Sequence, residues 1–187
     1  MSHGEFRSIC SVWNFRPDLA RREKTMPTIS ASLSSFQQVL DMHGLGAGLL
    51  FLNRRVPHRF TAIYRLNGAQ LLRLGFVDKR GEACEETAEV PFENSFCALA
   101  VREGELLITD LSNDERLRDH PNPFGLGSYV GFPLASGPGQ LHGTFCHYDT
   151  RSNPLSEEEF LFLERASAII DRFCLQHGIW GGVPATS

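Results

Sequence analysis

The feature that most constrains the fold is a hairpin pattern between residues 60 and 77. Two segments rich in aromatic, aliphatic and β-branched side chains, FTAIYRL (60–66) and AQLLRLGFV (69–77), flank the pair Asn67-Gly68. Asn-Gly satisfies the positive φ angles of a type I′ turn, so the two segments are predicted to pair as antiparallel strands. The chain is therefore expected to contain an antiparallel sheet.

Patterns on either side of the hairpin predict the remaining elements. A helical apolar pattern runs from Ser30, breaks at residues 44–48 and resumes in a short helix that Pro57 ends. After the hairpin, a helix over 95–102 stops at Gly104, and three strands follow at 105–109, 128–134 and 141–149. This order predicts an α+β fold with a central antiparallel sheet of five to six strands and its helices gathered on one face.

The last predicted element is a long helix that begins after Ser156. Ser156 and Glu159 form a capping-box pattern, and polar residues recur with a seven-residue period in one narrow stripe. The remaining apolar arc is wider than contact with one sheet requires, so we expect this helix also to offer a face to a partner helix. A homodimer through 30–42 and 156–176 is predicted, with the interface residues Leu33, Phe36, Leu40, Phe162, Ile169 and Phe173.

Length and composition limit the class of protein. The 187 residues fit one domain (30–176) between an N-terminal extension, docked or disordered (1–29), and a C-terminal tail (177–187). The net charge of -4 argues against nucleic-acid binding, which requires clustered positive charge. The chain has no membrane-spanning apolar run and no signal-peptide pattern, and its five scattered cysteines fit reduced thiols. We therefore expect a soluble cytoplasmic protein.

The cysteine and histidine patterns match no recognised metal or catalytic motif. Cys146 and His147 are neighbours on a predicted strand and point to opposite faces, which predicts a core cysteine beside a surface or edge histidine. The seven histidines include no helical pair with zinc spacing, so no metal is expected. Cys84 and Cys97 flank the entrance of the helix at 95–102 and could pair as redox thiols, or remain one loop thiol and one core thiol.

A loop rich in charged residues follows the strand at 105–109. It holds Asp110, Arg116 and His120 among other charged side chains. Such a loop is either solvated or the lid of a pocket over the sheet, and in the second interpretation Tyr129 and Phe132 line that pocket.

Several segments together resemble the GAF domain family of small-molecule sensor and signalling modules. These are NRRVPHRFTAIYRLNGAQLLRLGFVDK (53–79), SFCALAVREGELLITDLSNDERLRDHPN (95–122), SYVGFPL (128–134) and HGTFCHYDTRSNPLSEEEFLFLE (142–164). The resemblance covers about residues 30–176. It implies a GAF/PAS-like sheet with N- and C-terminal helices on one face and a ligand pocket on the other. The candidate pocket residues are Phe96, Cys97, Asp110, Arg116, His120, Tyr129 and Phe132.

Departures from three GAF subfamilies narrow the expected chemistry. GAF domains that bind cyclic nucleotides have Asn before a signature Lys, whereas Asp78 precedes Lys79 here, so a cyclic nucleotide is not expected. GAF domains that bind bilins usually carry a Cys-His pair in a lid helix, whereas Cys146-His147 lies in a predicted strand, so a bilin is not expected. The free methionine sulfoxide reductases use a set of pocket cysteines. Cys84 and Cys97 match two of these, and no cysteine lies between Cys97 and Cys146 to supply the third.

The resemblance predicts a non-catalytic protein of bacterial signalling that senses an unknown small molecule or has a regulatory role. One alternative is a thiol sensor or sulfoxide reductase-like enzyme that uses Cys84 and Cys97. Another is a degenerate GAF scaffold that acts through dimerisation. No kinase, cyclase or DNA-binding segment accompanies the domain, so we expect its output to pass through a separate signalling protein or through dimerisation.

Overall fold

The computed structural model describes residues 26–82, 89–137 and 139–181. Most of the predicted N-terminal extension, part of the tail, and Cys84 lie outside the described residues. The helices and strands are α1 (Met26–Arg55), β1 (Phe60–Asn67), β2 (Gln70–Asp78), β3 (Glu89–Pro91), α2 (Phe96–Glu103), β4 (Leu106–Ile108), β5 (Ser128–Ala135), β6 (Leu141–Asp149) and α3 (Glu157–Gln176). Two 3₁₀ turns, Leu111–Asn113 and Glu115–Leu117, lie between β4 and β5.

The six strands form one sheet in the order β3-β2-β1-β6-β5-β4. Each pair of neighbouring strands is antiparallel. The strands of the first and second halves of the domain meet where β1 pairs with β6, with Ile63 opposite Phe145. The predicted α+β fold with an antiparallel sheet of five to six strands is confirmed.

The β1–β2 hairpin closes one residue later than the sequence predicts. Asn67 pairs with Gln70, so the two turn residues are Gly68 and Ala69 rather than Asn67 and Gly68. Of these two, only Gly68 has a positive φ, 61°. A single positive φ at the first turn residue is the pattern of a type II′ turn, so the predicted type I′ turn is wrong although the predicted strand pairing is correct.

Helix α1 is longer and less interrupted than predicted. It begins at Met26, inside the predicted extension, and runs to Arg55 with one non-helical residue, Gly44, whose φ is 80° and ψ is -178°. At Gly48 the chain is helical again, and an added Cβ there would lie 2.4 Å from the Leu40 side chain. The predicted break within 44–48 is therefore confirmed as a kink at Gly44, which separates two helices within α1.

Helices α1 and α3 cover one face of the sheet and share a buried cluster with side chains of β1, β5 and β6. Four of the six residues predicted to form a dimer interface are buried in this cluster: Phe36, Leu40, Phe162 and Phe173. The other two, Leu33 and Ile169, are partly buried against it. The wide apolar arc of α3 is explained by its packing against both the sheet and α1 of the same chain.

The beginning of α3 is held by the predicted cap and by an ion pair. Ser156 Oγ accepts a hydrogen bond from the Glu159 backbone N–H at 3.2 Å. The Glu159 carboxylate accepts two hydrogen bonds from the Arg55 guanidinium at 2.7 and 2.9 Å, which joins the end of α1 to the start of α3. After α3, Ile179 and Trp180 of the predicted tail pack against the same cluster as the two helices.

The opposite face of the sheet carries a second buried cluster beneath α2 and the loop between β4 and β5. Gly104, with a φ of 87°, ends α2 as predicted and turns the chain into β4. Within the described residues, this face therefore has a thinner cover, one short helix and a loop, than the face under α1 and α3. Within the described parts of the chain, none of the helices is both long and apolar enough to cross a membrane.

Candidate ligand pocket

A cavity of about 490 Å³ lies on the face of the sheet opposite α1 and α3. The central strands contribute its floor, and Tyr64, Tyr129 and Cys146 are part of that floor. Its walls come from β3, from residues 93–97 at the start of α2 and from the loop residues 121–126. The cavity thus lies between the sheet and the thinner of its two covers.

Strand alternation explains which side chains face the cavity. In β1, Tyr64 points to the cavity side whereas Ile63 packs in the cluster under the helices. In β6, Cys146 and Tyr148 point to the cavity side whereas Phe145 packs under the helices. Successive side chains of a strand point to opposite faces, so both central strands supply core residues and cavity residues alternately.

The start of α2 is brought to the cavity by the turn before it. Asn94 has a positive φ of 63°, and Ser95 then caps the helix by accepting a hydrogen bond from the Ala98 backbone N–H at 3.1 Å. Phe96 follows directly and stacks on Tyr129 of the floor, with 5.4 Å between the ring centroids. The cap thereby fixes the position of the first helical side chains over the sheet.

The lining of the cavity is mainly apolar and carries little charge. Among the described residues that line it, Glu93 is the only one with a charged side chain. Burial raises the pKa of Tyr64 and of Tyr129 well above the usual value, so both hydroxyl groups remain protonated at neutral pH. The two tyrosine hydroxyls of the floor are therefore neutral hydrogen-bonding groups.

Cys97 is the cavity side chain whose pKa is brought close to neutral pH. The Tyr129 hydroxyl donates a hydrogen bond to Cys97 Sγ over 3.4 Å. The neighbouring Cys146 and the hydrogen bond from Tyr129 outweigh burial and lower the pKa of Cys97 to about 7. The contact with Cys97, together with burial, raises the pKa of Cys146 well above its usual value.

Comparison with known proteins identifies the family. A family model described as a GAF domain matches residues 37–172. The chain belongs to the GAF domain family. Comparison with curated protein sequences finds no significant match.

Solved GAF structures share the fold at low sequence identity. The GAF domain of an Acinetobacter phosphoenolpyruvate-protein phosphotransferase is 16% identical, with a TM-score of 0.67 over 83% of this chain and 98% of that one. The free methionine-R-sulfoxide reductase of Neisseria meningitidis, solved with its substrate, is 16% identical, with a TM-score of 0.62 over 81% and 90%. A GAF protein from Burkholderia vietnamiensis is 12% identical, with a TM-score of 0.64 over 81% and 96%. These likenesses show the fold and leave the function open.

Of the seven pocket residues predicted for this GAF domain, Phe96, Cys97 and Tyr129 line the cavity. Phe132 lies on the other face of the sheet, where its ring packs 6.3 Å from that of Phe145 and 5.3 Å from that of Phe160. Tyr129 and Phe132 are an odd number of positions apart on one strand, so they point to opposite faces.

Asp110, Arg116 and His120 do not border the cavity and instead stabilise the loop above it. Asp110 caps the first 3₁₀ turn by accepting a backbone N–H at 3.1 Å. Arg116 pairs with Asp114 in the second turn, at 2.9 Å between Nε and Oδ1. His120 packs edge-on against Phe96 with 4.7 Å between ring centroids. The charged loop is thus a support for the residues at 121–126 that border the cavity.

The cavity residues that the sequence did not predict include three on the central strands: Tyr64, Cys146 and Tyr148. The alternation of side chains along FTAIYRL and GTFCHYD could have identified them, because Tyr64 is on the face opposite Ile63, and Cys146 and Tyr148 are on the face opposite Phe145. The sequence predicts Cys146 simply as a core thiol, and its burial agrees with that, at 1% exposed. Its role at the cavity floor follows only from the position of α2 over β6.

His147 is buried rather than at a surface or edge. Its side chain lies on the face of the sheet that α1 and α3 cover, and His147 Nδ1 lies 2.6 Å from Thr61 Oγ1. His58 is buried beside it, with 6.4 Å between the ring centroids. Among the residues described by the structure, no group of three or more His, Cys, Asp or Glu side chains is placed to hold a metal ion.

Proposed function

We propose that this GAF domain is a regulatory module that binds a small molecule in its cavity without transforming it. The observation that carries the proposal is the cavity of about 490 Å³ with aromatic walls and few polar groups. Small-molecule sites in proteins typically measure roughly 300–1,000 Å³ and combine an apolar lining with a few polar groups that orient the ligand. The size and the lining of this cavity match that description.

The lining favours a neutral or cationic ligand with a flat apolar body. Phe60, Tyr148, Phe96 and Tyr129 present ring faces or edges to the space, and stacking on such rings is favourable for flat ligands. The charged side chain among the described lining residues is that of Glu93, which repels anions and attracts cations. An anionic ligand would meet no compensating positive charge among these residues.

The lining also favours binding over catalysis. General acid–base catalysis is most effective with groups whose pKa lies near the working pH. The pKa of Tyr64 and that of Tyr129 are raised well above this range by burial, so neither hydroxyl exchanges its proton readily at neutral pH. The floor hydroxyls are therefore suited to donating hydrogen bonds to a ligand.

A second candidate function is thiol chemistry at Cys97, and the lowered pKa of that thiol favours it. The predicted partner Cys84 lies outside the described residues. Sulfoxide reductase activity is tested by supplying free methionine-R-sulfoxide and a thiol reductant to the purified protein. We expect no turnover, and sustained formation of methionine would replace the proposed binding function with an enzymatic one.

We further propose that the domain acts through a partner protein or a second copy of itself in the cytoplasm. Because most of the predicted dimer residues are buried within the chain, an interface on α1 and α3 would use exposed apolar side chains such as Met42, Leu50 and Leu175. Light scattering over a range of protein concentrations tests self-association. A mass equal to that of one chain at every concentration would exclude self-association, and action through a separate partner protein would remain.

The binding proposal is tested with two fluorescent probes of similar shape and different charge. Neutral N-phenylnaphthylamine should bind with increased fluorescence, whereas the anionic anilinonaphthalene sulfonate should bind at least about tenfold more weakly because of Glu93. Equal binding of both probes would contradict the inferred charge preference.

Two matched variants locate the bound probe. Val90→Trp places a large ring in the cavity wall and should abolish binding of the neutral probe. Val101→Trp adds the same ring at a half-buried position of α2 that is not part of the lining, and should retain binding. If Val90→Trp is folded by thermal melting and still binds the probe as the wild type does, the cavity is not the binding site.

A further inference from the structure

Two cysteine side chains meet at the floor of the cavity. Cys97 lies in the first turn of α2, Cys146 lies in β6, and both line the cavity. Both are buried in one cluster and neither is part of a disulfide. The Tyr129 hydroxyl that contacts Cys97 Sγ lies over Gly131, which pairs with Cys146 across the sheet. Two free thiols are thus brought together from elements far apart in the sequence, at a surface that a small molecule can reach.

We propose that Cys97 and Cys146 form a reversible redox site, in which a hydroperoxide that enters the cavity oxidises the two thiols to a disulfide. This inference goes beyond the proposed binding function and does not require a resident ligand. It also differs from the sequence-based pairing of Cys84 with Cys97, because the structure places Cys146 in the same buried cluster and the same cavity lining as Cys97.

Cys97 is the thiol that reacts first. The thiolate is the nucleophilic form of cysteine, and the neighbouring Cys146 together with the hydrogen bond that Tyr129 donates lowers the pKa of Cys97 to about 7. Cys146, whose pKa is raised, remains protonated and is the resolving thiol.

The reaction proceeds in two balanced steps. The Cys97 thiolate attacks one oxygen of the hydroperoxide, the O–O bond breaks, and the product is a sulfenic acid on Cys97 with release of an alcohol, or of water if the oxidant is hydrogen peroxide. The Cys146 sulfur then attacks the Cys97 sulfur, the S–O bond breaks, and the Cys146 proton leaves with the hydroxyl group as water. In total, two thiols lose two electrons and two protons, the hydroperoxide is reduced, and a small thiol reductant reverses the change.

The disulfide would join α2 covalently to a central strand beneath the cavity. It would also remove the thiolate that accepts the hydrogen bond from Tyr129, which is itself part of the floor and stacks on Phe96. Oxidation therefore changes the shape and the hydrogen bonding of the cavity floor. We expect the oxidised protein to bind the neutral fluorescent probe with an affinity at least about threefold different from that of the reduced protein.

Peptide mass spectrometry of the whole chain tests the pairing directly. The reduced protein is treated with increasing hydrogen peroxide, remaining thiols are alkylated, and the peptides are separated without reduction. We expect a linked pair of peptides containing Cys97 and Cys146, which disappears after treatment with a small thiol. A link between Cys97 and Cys84, or alkylation of both Cys97 and Cys146 after peroxide treatment, would overturn the proposal.

Cysteine variants give the matched controls. In Cys146→Ser, oxidation should stop at a sulfenic acid on Cys97 that dimedone traps, whereas Cys84→Ser and Cys174→Ser should form the Cys97–Cys146 disulfide as the wild type does. Cys174 is a suitable control because it is also buried, but burial raises its pKa to about 12. In the reduced wild type near pH 7, alkylation of Cys97 should be about two orders of magnitude faster than that of Cys174. Equal rates would contradict the assignment of Cys97 as the reactive thiol, and this comparison needs no substitution.

Discussion

Acid should destabilise this protein in a pH range set by two buried histidines. His58 and His147 are fully buried on the helix side of the sheet. Burial lowers the pKa of His58 from 6.5 to about 4, and this effect outweighs the opposing influence of the nearby Asp149 carboxylate. Burial also lowers the pKa of His147 well below its usual value, and the neighbouring His58 and Lys79 act in the same direction.

Proton linkage gives the sign and the size of the effect. Because the folded pKa of His58 is below the unfolded value, the unfolded state binds more protons between about pH 6.5 and about pH 4, and the free energy of unfolding falls as the pH falls through that range. The full shift corresponds to about 3 kcal/mol for His58, of which about 2 kcal/mol is lost between about pH 7 and about pH 4.5. His147 adds to the same loss. Carboxylates such as Asp78, whose pKa is lowered by Arg59, lose their contribution only below about 3.8.

Urea unfolding followed by circular dichroism at about pH 7 and about pH 4.5 measures this loss. His58→Leu removes a ring whose two nitrogens lack hydrogen-bond partners among the described residues. The variant should be no less stable than wild type near neutral pH and should lose about 2 kcal/mol less on acidification. His43→Leu removes an exposed imidazole of α1 and should retain the full loss. An unchanged acid loss in His58→Leu would refute the reasoning.

Three further predictions concern the sheet and the cavity. Gly143→Ala should lower the free energy of unfolding by about 3 kcal/mol or more, because the added Cβ would lie 1.8 Å from a carbonyl oxygen of β1. Gly137 has open space around it, so Gly137→Ala should change the free energy of unfolding by less than about 0.5 kcal/mol. Urea unfolding measures both. Ser95→Ala should cost about 1 kcal/mol in the same assay, since the cap of α2 is lost. Tyr129→Phe should raise the pKa of Cys97, because one hydrogen-bond donor to the thiolate is removed. The midpoint of the pH dependence of Cys97 alkylation should therefore move upward from about 7. An unmoved midpoint would show that Tyr129 does not stabilise the thiolate.

Local patterns predict the elements of this fold well, because each depends on neighbours in the sequence. Ser156 caps α3, Gly104 ends α2, and the segment at 141–149 is β6 with the predicted bounds. The hairpin register is an instructive exception, since a shift of one residue at Asn67 changes the turn type while leaving the strands in place. The turn type therefore depends on the register of the whole strand pair as well as on which dipeptide best fits a tight turn.

Contacts between distant segments account for most of what the sequence does not predict. The wide apolar arc that predicts a dimer face on α3 is filled by α1 and the sheet of the same chain, as at Phe162. Likewise, the charges of Asp110 and Arg116 predict polar pocket groups, but both side chains bond within their own loop. The meeting of Cys97 with Cys146 requires both the strand order and the position of α2, which no local pattern contains.

The central claim, that the cavity holds a small molecule, is tested most directly by weighing the protein with its ligand. The chain is purified gently from the cells in which it occurs, and its mass under native conditions is compared with its denatured mass. We predict additional mass that denaturation releases, present in wild type and Val101→Trp and absent from Val90→Trp. Equal native and denatured masses for the wild type, together with no binding of the neutral probe, would contradict the account.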